Sequence, residues 1–329
     1  MTNNYKPVAI CGIALRLPGD IRSTQDLWEA LRDGKDLRGP VPESRYFKEG
    51  FSDDMGSKGA IETQHGYFLD QDIACFDPSL FSLTEEEARR TDPQQRLLLE
   101  VVKECFESAG LIDYRGSNTG CYVGTFSEDW LHSQAKEDQH SGGYIMSGQV
   151  DMMLANRVSY ENDLRGPSMV IKTGCSASLI AVHEACRALQ MNDCTGAVVA
   201  GTNLILGPTT TAAMSSEGIL SREGSCKTFD SEADGFARGE AVVAIYLRTL
   251  DSAVQKRLPI RAVIANTGVN SNGRSQSILQ PNTEAQIELM RKVYSDIGLD
   301  PARTGMHLHS PLAQNCLFRA LLTPKISLC

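Results

Sequence analysis

GPSMVIKTGCSASLIAVHEACRAL, residues 166–189, joins a run with strand character to a run with helix character and places one cysteine, Cys175, at the join. Val170 and Ile171 are β-branched and, beside Met169, suit a short strand over residues 168–172, with Thr173-Gly174 as a tight exit. From Ser176 the spacing changes. Leu179, Val182, Ala185, Cys186 and Leu189 recur at three- and four-residue steps, and only His183, Glu184 and Arg187 are strongly polar. The pattern predicts a mostly buried helix with Cys175 at its N-terminus. Unpaired amides and the helix dipole at such a position stabilise negative charge, and the thiolate is the reactive form of cysteine. The same amides can donate to a developing oxyanion. Gly174, Ser176, Ala177 and Ser178 are small enough to let a substrate approach. An arbitrary free cysteine packs as a small apolar group. The order of strand, glycine, cysteine, small residues and helix favours a nucleophile instead.

A chain of 329 residues can bury a large core, as one α/β unit or two domains. With 41% hydrophobic and 22% charged residues it reads as globular, and a net charge of -9 offers no footprint for nucleic acid or an anionic membrane. Ten cysteines lie scattered, without a CxxC pair or metal-ligand spacing, so neither a disulfide framework nor a bound metal is expected. The opening MTNNYKP lacks the apolar run of a signal peptide, no stretch reaches the roughly 20 apolar residues of a membrane span, and no N-x-Ser/Thr sequon occurs. A reducing, cytoplasmic setting fits this composition.

In chain order, residues 7–17 read as a strand into a glycine-bearing turn, and Ser23 caps a helix containing Asp26 and Trp28. Residues 38–65 form a long polar excursion. Thr84 opens a short helix, and Asp92-Pro93 opens a longer one that Gly110 stops; Arg96 within it reads as an internal ion-pair partner. Residues 120–126 are a strand, 127–143 a loop, 148–156 a helix, 197–206 an apolar strand, 241–247 and 260–268 further strands, and 284–298 an amphipathic helix. Apolar strands alternating with helices predict an α/β layered sheet covered on both faces. No GxGxxG follows a strand, so a dinucleotide cofactor is not indicated, and no Gly-x-Ser-x-Gly offers a rival nucleophile.

Six motifs then fall in one order: Asp92-Pro-Gln-Gln-Arg-Leu-Leu-Leu-Glu; Ala155-Asn-Arg-Val-Ser-Tyr; Leu164-Arg-Gly-Pro-Ser; Thr173-Gly-Cys-Ser-Ala-Ser-Leu; Lys227-Thr-Phe-Asp with Asp234-Gly-Phe-Ala-Arg-Gly-Glu; and Val269-Asn-Ser-Asn-Gly-Arg. From about Pro7 to about Thr304 the chain resembles the ketosynthase (β-ketoacyl synthase) domain of type I polyketide synthases, especially the fungal highly reducing type. Fatty acid synthase ketosynthases and thiolases are the more distant alternatives. Lys172 is a departure, standing where many relatives place Asp.

The resemblance implies a thiolase-like layered α/β fold, with the N-terminal half complete over residues 7–255 behind a tail at 1–6. Only the start of the C-terminal half follows, at 260–304. It implies that Cys175 accepts an acyl chain from a phosphopantetheine thioester, and that a malonyl-type extender on an acyl carrier protein loses carbon dioxide and attacks the new thioester. No cofactor would bind directly. The implied partners are the carrier and acyltransferase domains of the same synthase and a second copy of the ketosynthase, with no nucleic acid and no membrane.

Two family histidines stabilise the enolate. Where Glu-Ala-His-Gly-Thr-Gly-Thr is expected, this sequence reads Gly305-Met-His-Leu-His-Ser-Pro, with His309 one position early. The second histidine and the glycine-rich loop would lie past Cys329. Residues 305–329 are therefore expected to be a divergent tail from a frameshift, a retained intron or a truncated gene model, leaving an incomplete enzyme or an inactive fragment that acts through association. His183, roughly 12 Å along the helix from Cys175, reads as a packing residue. His65, His132 and His140 fall in expected loops, and His307 and His309 alone are too few for a metal.

Overall fold

The strand expected at residues 7–17 is β1 (Val8–Arg16), and the computed structural model describes residues 6–51, 60–134, 143–228, 230–277 and 280–306. After β1 come α1 (Thr24–Arg32), a two-stranded ribbon of β2 (Gly39–Pro40) and β3 (His65–Gly66), α2 (Glu85–Arg90), α3 (Pro93–Ser108), β4 (Thr119–Thr125) and α4 (Asp129–Gln134). The chain continues through α5 (Met153–Glu161), β5 (Ser168–Ile171), α6 (Ala177–Met191), β6 (Gly196–Asn203), α7 (Thr209–Ser216) and β7 (Ala241–Thr249). It then runs through α8 (Leu250–Gln255), β8 (Ala262–Ile264) and α9 (Thr283–Ser295).

Six strands make one sheet in the order β5-β4-β6-β7-β1-β8. β4 runs parallel to both β5 and β6, whereas β7 is antiparallel to β6 and β1, and β8 is antiparallel to β1. Alternate residues of the central strands feed two separate cores. Ala197 and Val199 meet Ala181, Ala185, Cys186 and Leu189 of α6, while Val198 and Ala200 lie in the other core with Leu97 and Val101 of α3 and Leu154 and Val158 of α5. A sheet buried on both faces needs apolar residues at successive positions, which is why residues 197–200 show no polar alternation.

The helix starts follow from local chemistry. The Ser23 hydroxyl accepts from the Asp26 amide at 3.1 Å, the Thr84 hydroxyl from Glu87 at 3.1 Å, and the Asp92 carboxylate from Gln94 at 2.8 Å with Pro93 next in line. Two of the motifs meet across the core. Arg157 of α5 donates to the Gln95 side chain at 2.8 Å, to Glu87 at 3.0 Å and to the Ser147 carbonyl at 2.8 Å, and Gln95 in turn donates to the Gly148 carbonyl. Arg96 is buried but differs from the expected ion-pair residue: its guanidinium donates to the Ala74 carbonyl at 3.4 Å, and no salt bridge reaches it among the described residues.

Several boundaries move. The segment 127–143 holds the short helix α4. The helix expected from residue 148 starts at Met153, because a single wide turn at Ile145–Gln149 ends on Val150 in extended geometry. β6 stops at Asn203, and β8 keeps only three residues. α7 was not anticipated: TTTAAMSS buries only Thr211, so it carries no apolar stripe to announce a helix. His140, His307 and His309, with the tail from 307, lie outside the described residues.

Candidate active site

Cys175 sits in a built turn between β5 and α6. Gly174 takes φ +67°, a left-handed conformation that glycine adopts without the Cβ penalty. The Ser176 hydroxyl donates to the Thr173 carbonyl at 2.9 Å and lies 3.0 Å from the Thr173 hydroxyl. The Ala177 amide donates to the Gly174 carbonyl at 3.1 Å, which closes the first turn. The helix proper begins two residues after Cys175.

Two glycines let this turn lie directly on the sheet. A Cβ on Gly124 of β4 would stand 2.3 Å from the Ser178 nitrogen and 2.5 Å from the Ala177 carbonyl carbon, and one on Gly201 of β6 would stand 2.9 Å from the Ser178 Cβ. The first turn of α6 therefore rests on the backbones of β4 and β6, at the ends toward which these parallel strands run. Neither glycine had been singled out as part of the site. Both are legible only as glycines inside apolar strands, a sign of close backbone approach.

Cys175 opens onto a cavity of about 470 Å³, a size suited to a small organic ligand. Phe126, Leu179, Val199, Met214, Phe236 and Ile245 give it apolar walls. The thiol is accessible, yet the protein mass around it pushes its pKa up, and a hydrogen bond from its own amide offsets this only in part.

Among the described residues, no histidine lines the cavity that Cys175 opens onto. Nδ1 of His183 lies 2.8 Å from the Thr267 hydroxyl, joining α6 to the segment after β8, and burial pushes its pKa down. It is the helix-contact residue expected. His65 is exposed in the β2–β3 ribbon, and His132 lies in α4, 3.9 Å from Glu128. No cluster of three metal-ligating side chains occurs among the described residues.

Charged side chains elsewhere in the fold are paired or hydrogen-bonded. Glu240, the last residue of Asp234-Gly-Phe-Ala-Arg-Gly-Glu, pairs with Arg45 at 2.7 and 2.9 Å and accepts from the amides of Leu69 and Ile205, both at 3.0 Å. The buried carboxylate of Asp129 accepts from Leu206, Gly207 and the Thr210 hydroxyl at 3.0–3.2 Å. Lys172, just past β5, pairs with both Glu128 and Asp151. Sequence reasoning gave none of the carboxylates of Glu240, Asp129, Glu128 and Asp151 a role.

Comparison with known proteins identifies the class. Residues 5–253 match the family model described as beta-ketoacyl synthase, N-terminal domain, and residues 261–306 match beta-ketoacyl synthase, C-terminal domain. The chain belongs to the β-ketoacyl synthase family. Two fungal synthases are among its relatives. A highly reducing polyketide synthase of a Fusarium species is 48% identical over 295 residues, covering 89% of this chain and 12% of the relative. Squalestatin hexaketide synthase of a Phoma species is 46% identical over 312 residues, covering 94% of this chain and 12% of its own length. Among solved structures, the oxazolomycin ketosynthase domain of Streptomyces albus superposes with TM-score 0.84 at 32% identity, covering 91% of this chain and 52% of that one. The ketosynthase from module 6 of the Bacillus subtilis bacillaene synthase gives TM-score 0.80 at 31% identity, with 90% and 49% coverage. The chain thus has the thiolase-like ketosynthase fold, with the N-terminal domain whole and the start of the C-terminal domain. It spans about half the length of the solved ketosynthases and about an eighth of the curated synthases.

Proposed function

We propose that Cys175 is the acyl-accepting nucleophile of a ketosynthase that extends a polyketide chain. The observation that carries this reading is an accessible thiol on a strand-to-helix turn, opening onto an apolar cavity of about 470 Å³. Sγ attacks the carbonyl of an acyl group carried as a thioester on the phosphopantetheine of an acyl carrier protein. The bond to the pantetheine sulfur breaks, and the proton lost by Cys175 leaves with the pantetheine thiol. The Cys175 amide, two residues before α6 begins, is the proposed donor to the developing oxyanion. The apolar walls suit an alkyl chain, and the raised thiol pKa calls for a neighbouring base in the turnover state.

In the second stage a malonyl-type extender loses carbon dioxide, and its enolate carbon attacks the Cys175 thioester. Cys175 thiolate departs, and a β-ketoacyl chain is left on the carrier. We place the division between the halves between residues 255 and 260. The carrier and acyltransferase domains of one synthase are the proposed partners, no cofactor is called for, and the free cysteines favour the cytoplasm. A second copy of the domain is proposed to pair along β5, supported by its place at the sheet edge and by exposed Met169, Met152 and Tyr160.

The test is a chimaera that continues this chain with the C-terminal ketosynthase segment of a curated relative. Given acyl and malonyl carrier proteins, it is expected to form a β-ketoacyl product that Cys175→Ala abolishes. Undiminished product from the alanine variant would overturn the assignment.

A further inference from the structure

Lys172 is the first residue after β5 and lies three positions before Cys175. Its ammonium makes a short ion pair with Glu128 and a second with Asp151 at 3.1 Å. These contacts join three separate segments. Glu128 follows β4 by three residues, two after Phe126 of the cavity wall and next to Asp129, whose carboxylate holds the backbone at Leu206 and Gly207. Asp151 lies in the turn that leads into α5. Lys172 itself fixes the end of the strand that delivers Thr173-Gly174-Cys175. Burial opposes the charge on Lys172, but the two carboxylates together outweigh it and hold its pKa up. The side chain is about a third exposed, as are those of its partners, so each pair alone contributes little to stability.

We propose that Lys172 is a positioning residue for Cys175: one ammonium clamps the ends of β4 and β5 and the entry to α5 together, so that the turn at 173–178 presents Sγ to the cavity. The proposal rests on Cys175 being the acyl acceptor. It also predicts something independent of chemistry, namely that the backbone of the turn loosens when the ammonium is lost. A shift of the thiol by about 1 Å from the productive geometry is enough to slow transfer strongly.

The experiment compares the 329-residue chain with Lys172→Met, Lys172→Arg and Glu128→Gln. It follows hydrogen exchange of the amides at 173–178 and the rate of Cys175 acylation by a short acyl-pantetheine thioester, read by intact mass. Lys172→Met is expected to speed exchange in this turn and to slow acylation about tenfold. Lys172→Arg should restore both to within about threefold, since a second cation can span the same carboxylates. Glu128→Gln, which keeps Lys172 and Asp151, should fall between and keeps the test decisive if Lys172→Met fails to fold. Exchange and acylation unchanged in Lys172→Met and Glu128→Gln, or an arginine variant as impaired as methionine, would overturn the clamp. A wild-type chain that takes no acyl group contradicts the nucleophile reading alone, and the exchange comparison then decides the clamp by itself.

Discussion

At the scale of single residues, the thiol of Cys175 combines accessibility with a raised pKa. Below its pKa, the thiolate fraction of a cysteine rises about tenfold per pH unit. Alkylation of Cys175 by iodoacetamide, followed on its own peptide, is therefore expected to climb by about that factor per unit from pH 7 to 8.5 without levelling. A plateau below pH 8 would show that the amides and dipole win over desolvation. The candidate cysteine and its strand-to-helix turn were legible in the sequence, because β-branched residues, a glycine and small residues bracket it. The upward direction of its pKa was not, since local spacing cannot count the protein mass brought up by other elements, such as Phe126, Met214 and Phe236 of the cavity wall.

At the scale of elements, the site depends on α6 lying against bare backbone. Gly124→Ala forces a methyl to 2.3 Å from the Ser178 nitrogen, and backbone there cannot yield as a flexible side chain would. The substitution is expected to cost about 1–3 kcal/mol or more in urea unfolding and to slow trapping of Cys175. Gly201→Ala, which meets the Ser178 Cβ at 2.9 Å, should be milder. Equal, negligible effects would mean that the helix is free to shift. Helix starts at Ser23, Thr84 and Asp92 were readable, as caps act within three residues. The seating of α6 was not, because it joins residues of three elements far apart in the chain. α4 and α7 escaped notice for a different reason: both are short, and each buries a single residue.

At the scale of the whole molecule, one buried ion pair ties together segments far apart in the chain. Arg45 and Glu240 lie 195 residues apart, their side chains 2% and 0% exposed, and Glu240 also holds the backbone at Leu69 and Ile205. Arg45→Ala leaves a buried carboxylate without its cation and is expected to destabilise the fold by about 3–5 kcal/mol, seen as a lower urea midpoint. A change under 1 kcal/mol would show that water replaces the guanidinium. The layered α/β architecture was readable from strands without polar alternation, whereas a pair so distant in sequence leaves no periodic signal. The central claim, that this turn selects Cys175 for acyl transfer, has a direct test within the described residues, where Cys75, Cys175 and Cys226 are the exposed thiols. After incubation with an acyl-pantetheine thioester, peptide mass mapping is predicted to find one acyl group, on Cys175, with Cys75 and Cys226 unmodified. Acyl groups spread over the three cysteines alike, or absent from Cys175, would contradict the account.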